Sequence, residues 1–126
     1  MFTSTFWRFY HRQSDRLVSI SIKSPEWFKG RHYRPLNPPP DMLHCDVSDE
    51  EWARKYRERV LERLNPQQVY EELGPDAILL CWEPPGVFCH RRLVAEWLEE
   101  NLGIEVPELP ANYHPKQKTF FEFEED

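Results

Sequence analysis

The sequence predicts an α/β fold: a small mostly parallel sheet covered by helices, in a Rossmann-like layered single domain. Three observations predict it. Ala77 to Trp82 is apolar without interruption, as a strand buried on both faces of a parallel sheet is. Leu17 to Ile22 alternates with period two, Val18, Ile20 and Ile22 facing one way and Leu17, Ser19 and Ser21 the other. Two segments repeat at helical spacing: Trp52, Tyr56, Val60 and Leu64, with Ala53 and Leu61 beside them, and Leu93, Val94, Trp97, Leu98 and Leu102.

Along the chain, Phe2 to Phe6 reads as a first strand of aromatic residues and Thr. Ser24-Pro25-Glu26-Trp27 looks like an N-cap with Pro at the first helical position, so a single helical turn is expected, ended by Gly30. Pro35 to Pro40 reads as an extended connector, since four of its six residues are Pro. Ser48-Asp49-Glu50-Glu51 is a capping box that opens the first long helix. Asn65-Pro66 stops it and caps a second, short helix with Val69 and Leu73 inward, ended by Gly74-Pro75. After the apolar strand, the loop Glu83 to Phe88 leads to a helix from about Cys89 to Leu102, terminated by Gly103. Residues 1–106 form the domain. Residues 107–126, with an acidic end from Lys118 to Asp126, are a tail that wraps the domain, adds an edge strand or stays partly free.

At 126 residues the chain is long enough to bury a core without covalent staples. No apolar run approaches the roughly 18 residues of a membrane span, and Met1 to Thr5 has no signal-peptide character. A cytoplasmic protein without a membrane partner is the expectation. Three cysteines, Cys45, Cys81 and Cys89, are an odd count, which argues against a disulfide framework. The net charge of −6 is uneven. Residues 1–34 hold seven Lys/Arg against Asp15 and Glu26, a balance of +5, leaving −11 for the remainder. The acidic whole does not suit non-specific coating of DNA, but the basic segment can hold a phosphate.

In open α/β sheets, ligands bind beyond the carboxyl ends of the strands. Here that place is the loop from Glu83 to the helix start Cys89-His90-Arg91-Arg92. Free amides and the positive end of the helix dipole attract anions there. Arg91 and Arg92 are candidate ligand-binding residues, Glu83 and His90 candidates for acid–base work, and Cys89 a candidate nucleophile with a lowered pKa. Each has a structural reading beside the functional one. Cys89 can be a packing residue under the loop, Arg91 can pair with Glu83 or an acidic helix face, and Glu83 can cap the loop. Ser19, Ser21 and Lys23, on the less aliphatic side of the second strand and at its end, are candidate pocket lining. Phosphatase chemistry fits poorly, because Ala95 stands where an Arg six residues after Cys89 would be needed. Cys81 reads as inert core. A Cys81–Cys89 redox pair is an alternative, without the Cys-x-x-Cys spacing. A metal site from His44, Cys45, Cys89 and His90 has suitable donors at unsuitable spacing. The sequence asks for no cofactor and assigns no metal site. Phe6, Trp7, Phe9, Tyr10, Trp27, Phe28 and Tyr33, interleaved with basic residues, suit a nucleobase with phosphate; the plainer reading is core and core-edge aromatics with solvated Arg.

The segment Leu79-Leu80-Cys81-Trp82-Glu83-Pro84-Pro85-Gly86-Val87-Phe88-Cys89-His90-Arg91-Arg92-Leu93-Val94-Ala95-Glu96-Trp97-Leu98 resembles the signature of the domain-of-unknown-function 488 family: an apolar strand, a Cys and a Glu, a short loop, then Cys-His-Arg on an amphipathic helix. Thr3-Ser4, Val18-Ser19-Ile20-Ser21 and Pro25-Glu26-Trp27-Phe28-Lys29-Gly30 are similar to its short microbial and phage-borne members. The resemblance covers roughly residues 1–105 and implies an α/β fold with Glu83, Cys89, His90 and Arg91 lining the site. Three functions remain open: binding or acting on a small anionic, nucleotide-like ligand at the Cys-His-Arg segment; a non-catalytic protein- or nucleic-acid-interaction module using residues 1–34; and a thiol redox or metal-binding protein, which needs two cysteines within bonding reach.

Overall fold

A computed structural model describes residues 1–110. Four strands form one all-parallel sheet in the order β1-β4-β2-β3: β1 is Phe2–Thr5, β2 Leu17–Ser19, β3 Arg31–His32 and β4 Ile78–Cys81. Three α-helices accompany it: α1 (Asp49–Arg59) and α2 (Pro66–Leu73) between β3 and β4, and α3 (His90–Leu102) after β4. The apolar run thus becomes a central strand, with Leu79 opposite both Thr3 of β1 and Val18 of β2.

Successive residues of β4 serve two separate cores. Leu79 packs with Val18 and Ile20 against Tyr56 of α1, Val69 and Leu73 of α2, and Val94 and Leu98 of α3. Ile78 and Leu80 pack with Leu17 against Phe6, Phe9, Phe28 and Leu109. The helices cover one face of the sheet, and an aromatic layer from short loops covers the other. Each fully buried aliphatic side chain contributes about 1.5–3 kcal/mol, so a strand buried on both faces is the strongest organiser in a chain this short.

The helix ends follow their sequence signals. Ser48 Oγ accepts from the Glu51 amide at 3.1 Å, a cap that contributes about 1 kcal/mol, while the Glu51 carboxylate turns to Arg54. Asn65 Oδ1 accepts from the Gln68 amide at 3.0 Å. Gly103 closes α3 at φ 68°, a left-handed conformation that an L side chain rarely adopts.

Five details differ from expectation. Ser24 to Trp27 forms no helical turn; Phe28 N donates to Pro25 O at 2.9 Å and closes a tight turn instead. Gly30 does not end a helix but permits close approach, since a Cβ there would lie 2.6 Å from the Leu17 carbonyl oxygen. The Pro-rich connector includes two short 3-10 turns, Arg34–Leu36 and Pro40–Met42, which bury Leu36 and Met42. Most consequentially, Cys81 and Cys89 are joined in a disulfide and Cys45 is free. β3 adds an edge that no hydrophobic pattern announces, since its two side chains are exposed.

After α3 the chain returns along β1. Thr3 N donates to Pro107 O and Leu109 N to Thr3 O, at 3.0 and 2.9 Å, and Val106 and Leu109 are buried. The segment Lys118 to Asp126 lies outside the described residues. No helix among the described residues is long and apolar enough to cross a membrane.

Candidate functional site

The end of β4 and the start of α3 face each other across the loop 82–89. A β-strand and the helix that follows it are brought together by the short return, and this juxtaposes residues eight positions apart. Cys81, the last residue of β4, bonds to Cys89, the residue before α3. Both sulfurs belong to buried residues.

His90, the first residue of α3, lies beside them. Its Nδ1 is 3.9 Å from Cys89 Sγ and its Nε2 is 2.8 Å from the Ile20 carbonyl oxygen. A carbonyl only accepts, so Nε2 carries the proton and Nδ1 presents its lone pair. The ring sits against Tyr56 and Trp52, with centroids 5.4 and 6.2 Å away. Burial lowers its pKa from 6.5 to about 4; the nearby Arg91 charge adds to this and the Ile20 bond opposes it. His90 is therefore neutral at neutral pH.

Arg91 is almost fully buried and its guanidinium is consumed by the architecture. Nε and Nη2 form a fork onto Glu108 at 3.0 and 2.8 Å. Nη1 donates to the Glu83 carbonyl oxygen at 2.9 Å and lies 3.1 Å from Cys81 Sγ. Arg92 is likewise engaged, donating to Thr3 Oγ1 and the Val106 carbonyl at 2.8 and 2.9 Å. Thr3 in turn donates to Glu108 at 2.6 Å. The two arginines thus clamp the returning segment 106–109 to the start of α3.

A cavity of about 410 Å³ opens at the carboxyl ends of β2 and β4. Ser21, Lys23, Glu83, Cys89 and His90 line it, together with Trp52, Trp82 and Phe88. Cys89 also lines a second, broader cavity of about 720 Å³, with Arg91, Arg92 and Glu108 at its wall. Five of the expected site residues therefore meet around one cavity. Ser19, the last residue of β2, is not in its lining: its Oγ accepts from the Ser21 amide and from Ser24 Oγ, at 3.3 and 2.8 Å.

A separate feature stands on the outer, aromatic face. Trp7 and Tyr10 are more than half exposed, and their rings contact Trp27, with centroids 6.1 and 5.3 Å away. Trp82 joins this group through Trp7 at 6.0 Å and also lines the 410 Å³ cavity. Phe6, Phe9 and Phe28 are the buried base of the layer. The plainer reading of the early aromatics therefore fits the three phenylalanines, and Trp7 and Tyr10 present their rings to solvent.

The sequence reads Cys81 as inert core in preference to a redox pair with Cys89, and gives Glu108 no role. Cys81 was masked by its apolar run, although a strand end and the following helix start are neighbours by construction. Glu108 had no local signal, because its partner lies 17 residues away. Comparison with protein-family models, curated proteins and solved structures found no match.

Proposed function

We propose that this chain is a small-molecule thiol redox domain in which Cys81 and Cys89 cycle between dithiol and disulfide at the wall of the 410 Å³ cavity. The carrying observation is the bonded cysteine pair, with Cys89 lining a cavity at the carboxyl edge of a parallel sheet, where such folds place their ligands. The surroundings suit the reduced form. Cys89 stands at the positive end of α3, and the Arg91 guanidinium lies 3.1 Å from Cys81 Sγ, so both favour thiolates. In a reducing cytoplasm, disulfides are typically transient and catalytic or sensing.

The chemistry balances with a disulfide substrate. The Cys89 thiolate attacks one substrate sulfur, and the other leaves as a thiolate and takes a proton. The Cys81 thiolate then attacks Cys89 Sγ, forming the protein disulfide and releasing the second substrate thiolate. The resemblance to the family with the Cys-His-Arg signature agrees with a site at this segment.

A second reading, a nucleotide-like anionic ligand, is favoured by Lys23 and the rings of Trp52, Trp82 and Phe88 in the cavity lining. With Arg91 held by Glu108, Lys23 and the α3 amides would meet the anion. The exposed rings of Trp7 and Tyr10 extend this reading to single-stranded nucleic acid.

Melting the oxidised and reduced protein against a panel of nucleotides, phosphate and low-molecular-weight disulfides separates the two. A ligand at a hundred times its dissociation constant adds about 2.7 kcal/mol. The redox reading expects disulfides to oxidise the reduced form and raise its melting temperature to that of the oxidised form. A nucleotide shift equal in both forms, lost in Lys23→Ala, would favour the second reading.

A further inference from the structure

We infer that, once the disulfide is opened, Cys81, Cys89 and His90 form a binding site for a zinc-class divalent ion. This rests on the reading above that the pair is reducible. The donor atoms of the three residues lie within 4.8 Å of one another, on buried residues. Two thiolates and an imidazole are the donor set that borderline-soft ions prefer.

Three further features fit this assignment. Nε2 of His90 donates to the Ile20 carbonyl at 2.8 Å, leaving Nδ1 on the sulfur side at 3.9 Å from Cys89 Sγ. A metal-bound imidazole is usually held in this way, with its other nitrogen donating to a carbonyl or carboxylate. Arg91 Nη1 approaches Cys81 Sγ at 3.1 Å and can offset the charge of two thiolates. The Cα atoms of Cys81 and Cys89 are 7.4 Å apart, beyond the roughly 4.4–6.8 Å usual for a disulfide. The sulfurs can therefore separate around an ion without the backbone having to open.

Cys89, His90 and Glu83 line the 410 Å³ cavity, and the Glu83 carboxylate lies 3.8 Å from Cys81 Sγ, so the fourth position would open on that side. Three protein ligands and a fourth position open to a cavity are the pattern of a catalytic rather than a structural zinc site. Loading converts two thiols and M²⁺ into the dithiolate complex and two protons. It requires prior two-electron reduction of the disulfide, which a phosphine reductant supplies in the experiment. Re-oxidation by a low-molecular-weight disulfide, which takes up the two electrons and leaves as two thiolates, converts both sulfur ligands to the protein disulfide and expels the ion.

The experiment titrates the full-length chain, reduced with a phosphine and kept anaerobic, with Co²⁺ as the spectroscopic probe and then Zn²⁺ in competition. The expected result is one ion per chain, sulfur-to-cobalt charge-transfer absorption, intense tetrahedral ligand-field bands, and displacement by zinc. Oxidised protein should give none of these. Cys89→Ser should lose most of the charge-transfer intensity, and His90→Gln should weaken binding at least tenfold while circular dichroism shows it folded. Cobalt that binds without charge-transfer bands would overturn the proposal. So would a folded, reduced chain whose freed thiols react with a thiol reagent but bind no cobalt, although thiol redox function would survive. A disulfide that opens only when the chain unfolds would overturn both.

Discussion

The first turn of α3 and the segment after β1 dispose their large side chains in opposite ways. At α3, Arg91 and Arg92 are drawn inward, and Glu108, Thr3 and backbone carbonyls take up their donors. In the loop, Trp7 and Tyr10 turn their rings to solvent beside a buried phenylalanine layer. A charged residue at a helix start is thus not by itself a grip on an anion. The satisfied guanidinium of Arg91 is structural support beside Cys81 Sγ, and the proposed chemistry rests on the sulfurs of Cys81 and Cys89 and on Nδ1 of His90.

The largest effect should come from breaking the clamp. Glu108→Ala leaves Arg91 buried without its counter-charge and should cost about 3–5 kcal/mol of unfolding free energy in a denaturant titration. The double variant Arg91→Met with Glu108→Ala should cost less than Glu108→Ala alone, because the orphaned charge is gone. Equal costs would mean that Arg91 is not held by Glu108.

A pH titration sharpens the same contrast. His90 is about 4 when folded and 6.5 when unfolded. Between those values the unfolded chain binds a proton that the folded chain refuses, so stability falls as pH drops from about 6.5 toward 4 and levels off below. The loss should be at most about 3 kcal/mol, and His90→Gln should remove most of it. An unchanged slope in that variant would assign the effect to other groups.

The smallest effect on stability should come from the exposed rings. Trp7→Ala and Tyr10→Ala should each cost less than about 1 kcal/mol. If the nucleic-acid reading is right, each should weaken binding of a single-stranded oligonucleotide by about 1–3 kcal/mol. A large loss of stability instead would make these rings part of the core.

What was legible in the sequence follows from how local each cause is. The apolar run 77–82, the Ser48 and Asn65 caps and the left-handed Gly103 are set by neighbours within a few residues, and each appears where its signal stands. The carboxyl edge of the sheet was legible too, and it gathers Ser21, Lys23, Glu83, Cys89 and His90 around one cavity. The fate of Arg91 was not, because Glu108 reaches it only after α3 ends and the chain doubles back along β1. β3 escaped notice because two exposed residues, Arg31 and His32, carry no alternation. Ser24-Pro25 misled because a Ser-Pro pair opens tight turns as readily as helices.

The most direct test of the proposed redox centre is to equilibrate the folded wild-type chain in graded dithiol/disulfide buffers, quench with an alkylating agent and locate the labels by mass spectrometry. The expected result is a single two-electron transition in which Cys81 and Cys89 gain labels together and Cys45 is labelled throughout. Labels on Cys81 and Cys89 in the most oxidising buffer, or a disulfide involving Cys45, would contradict it.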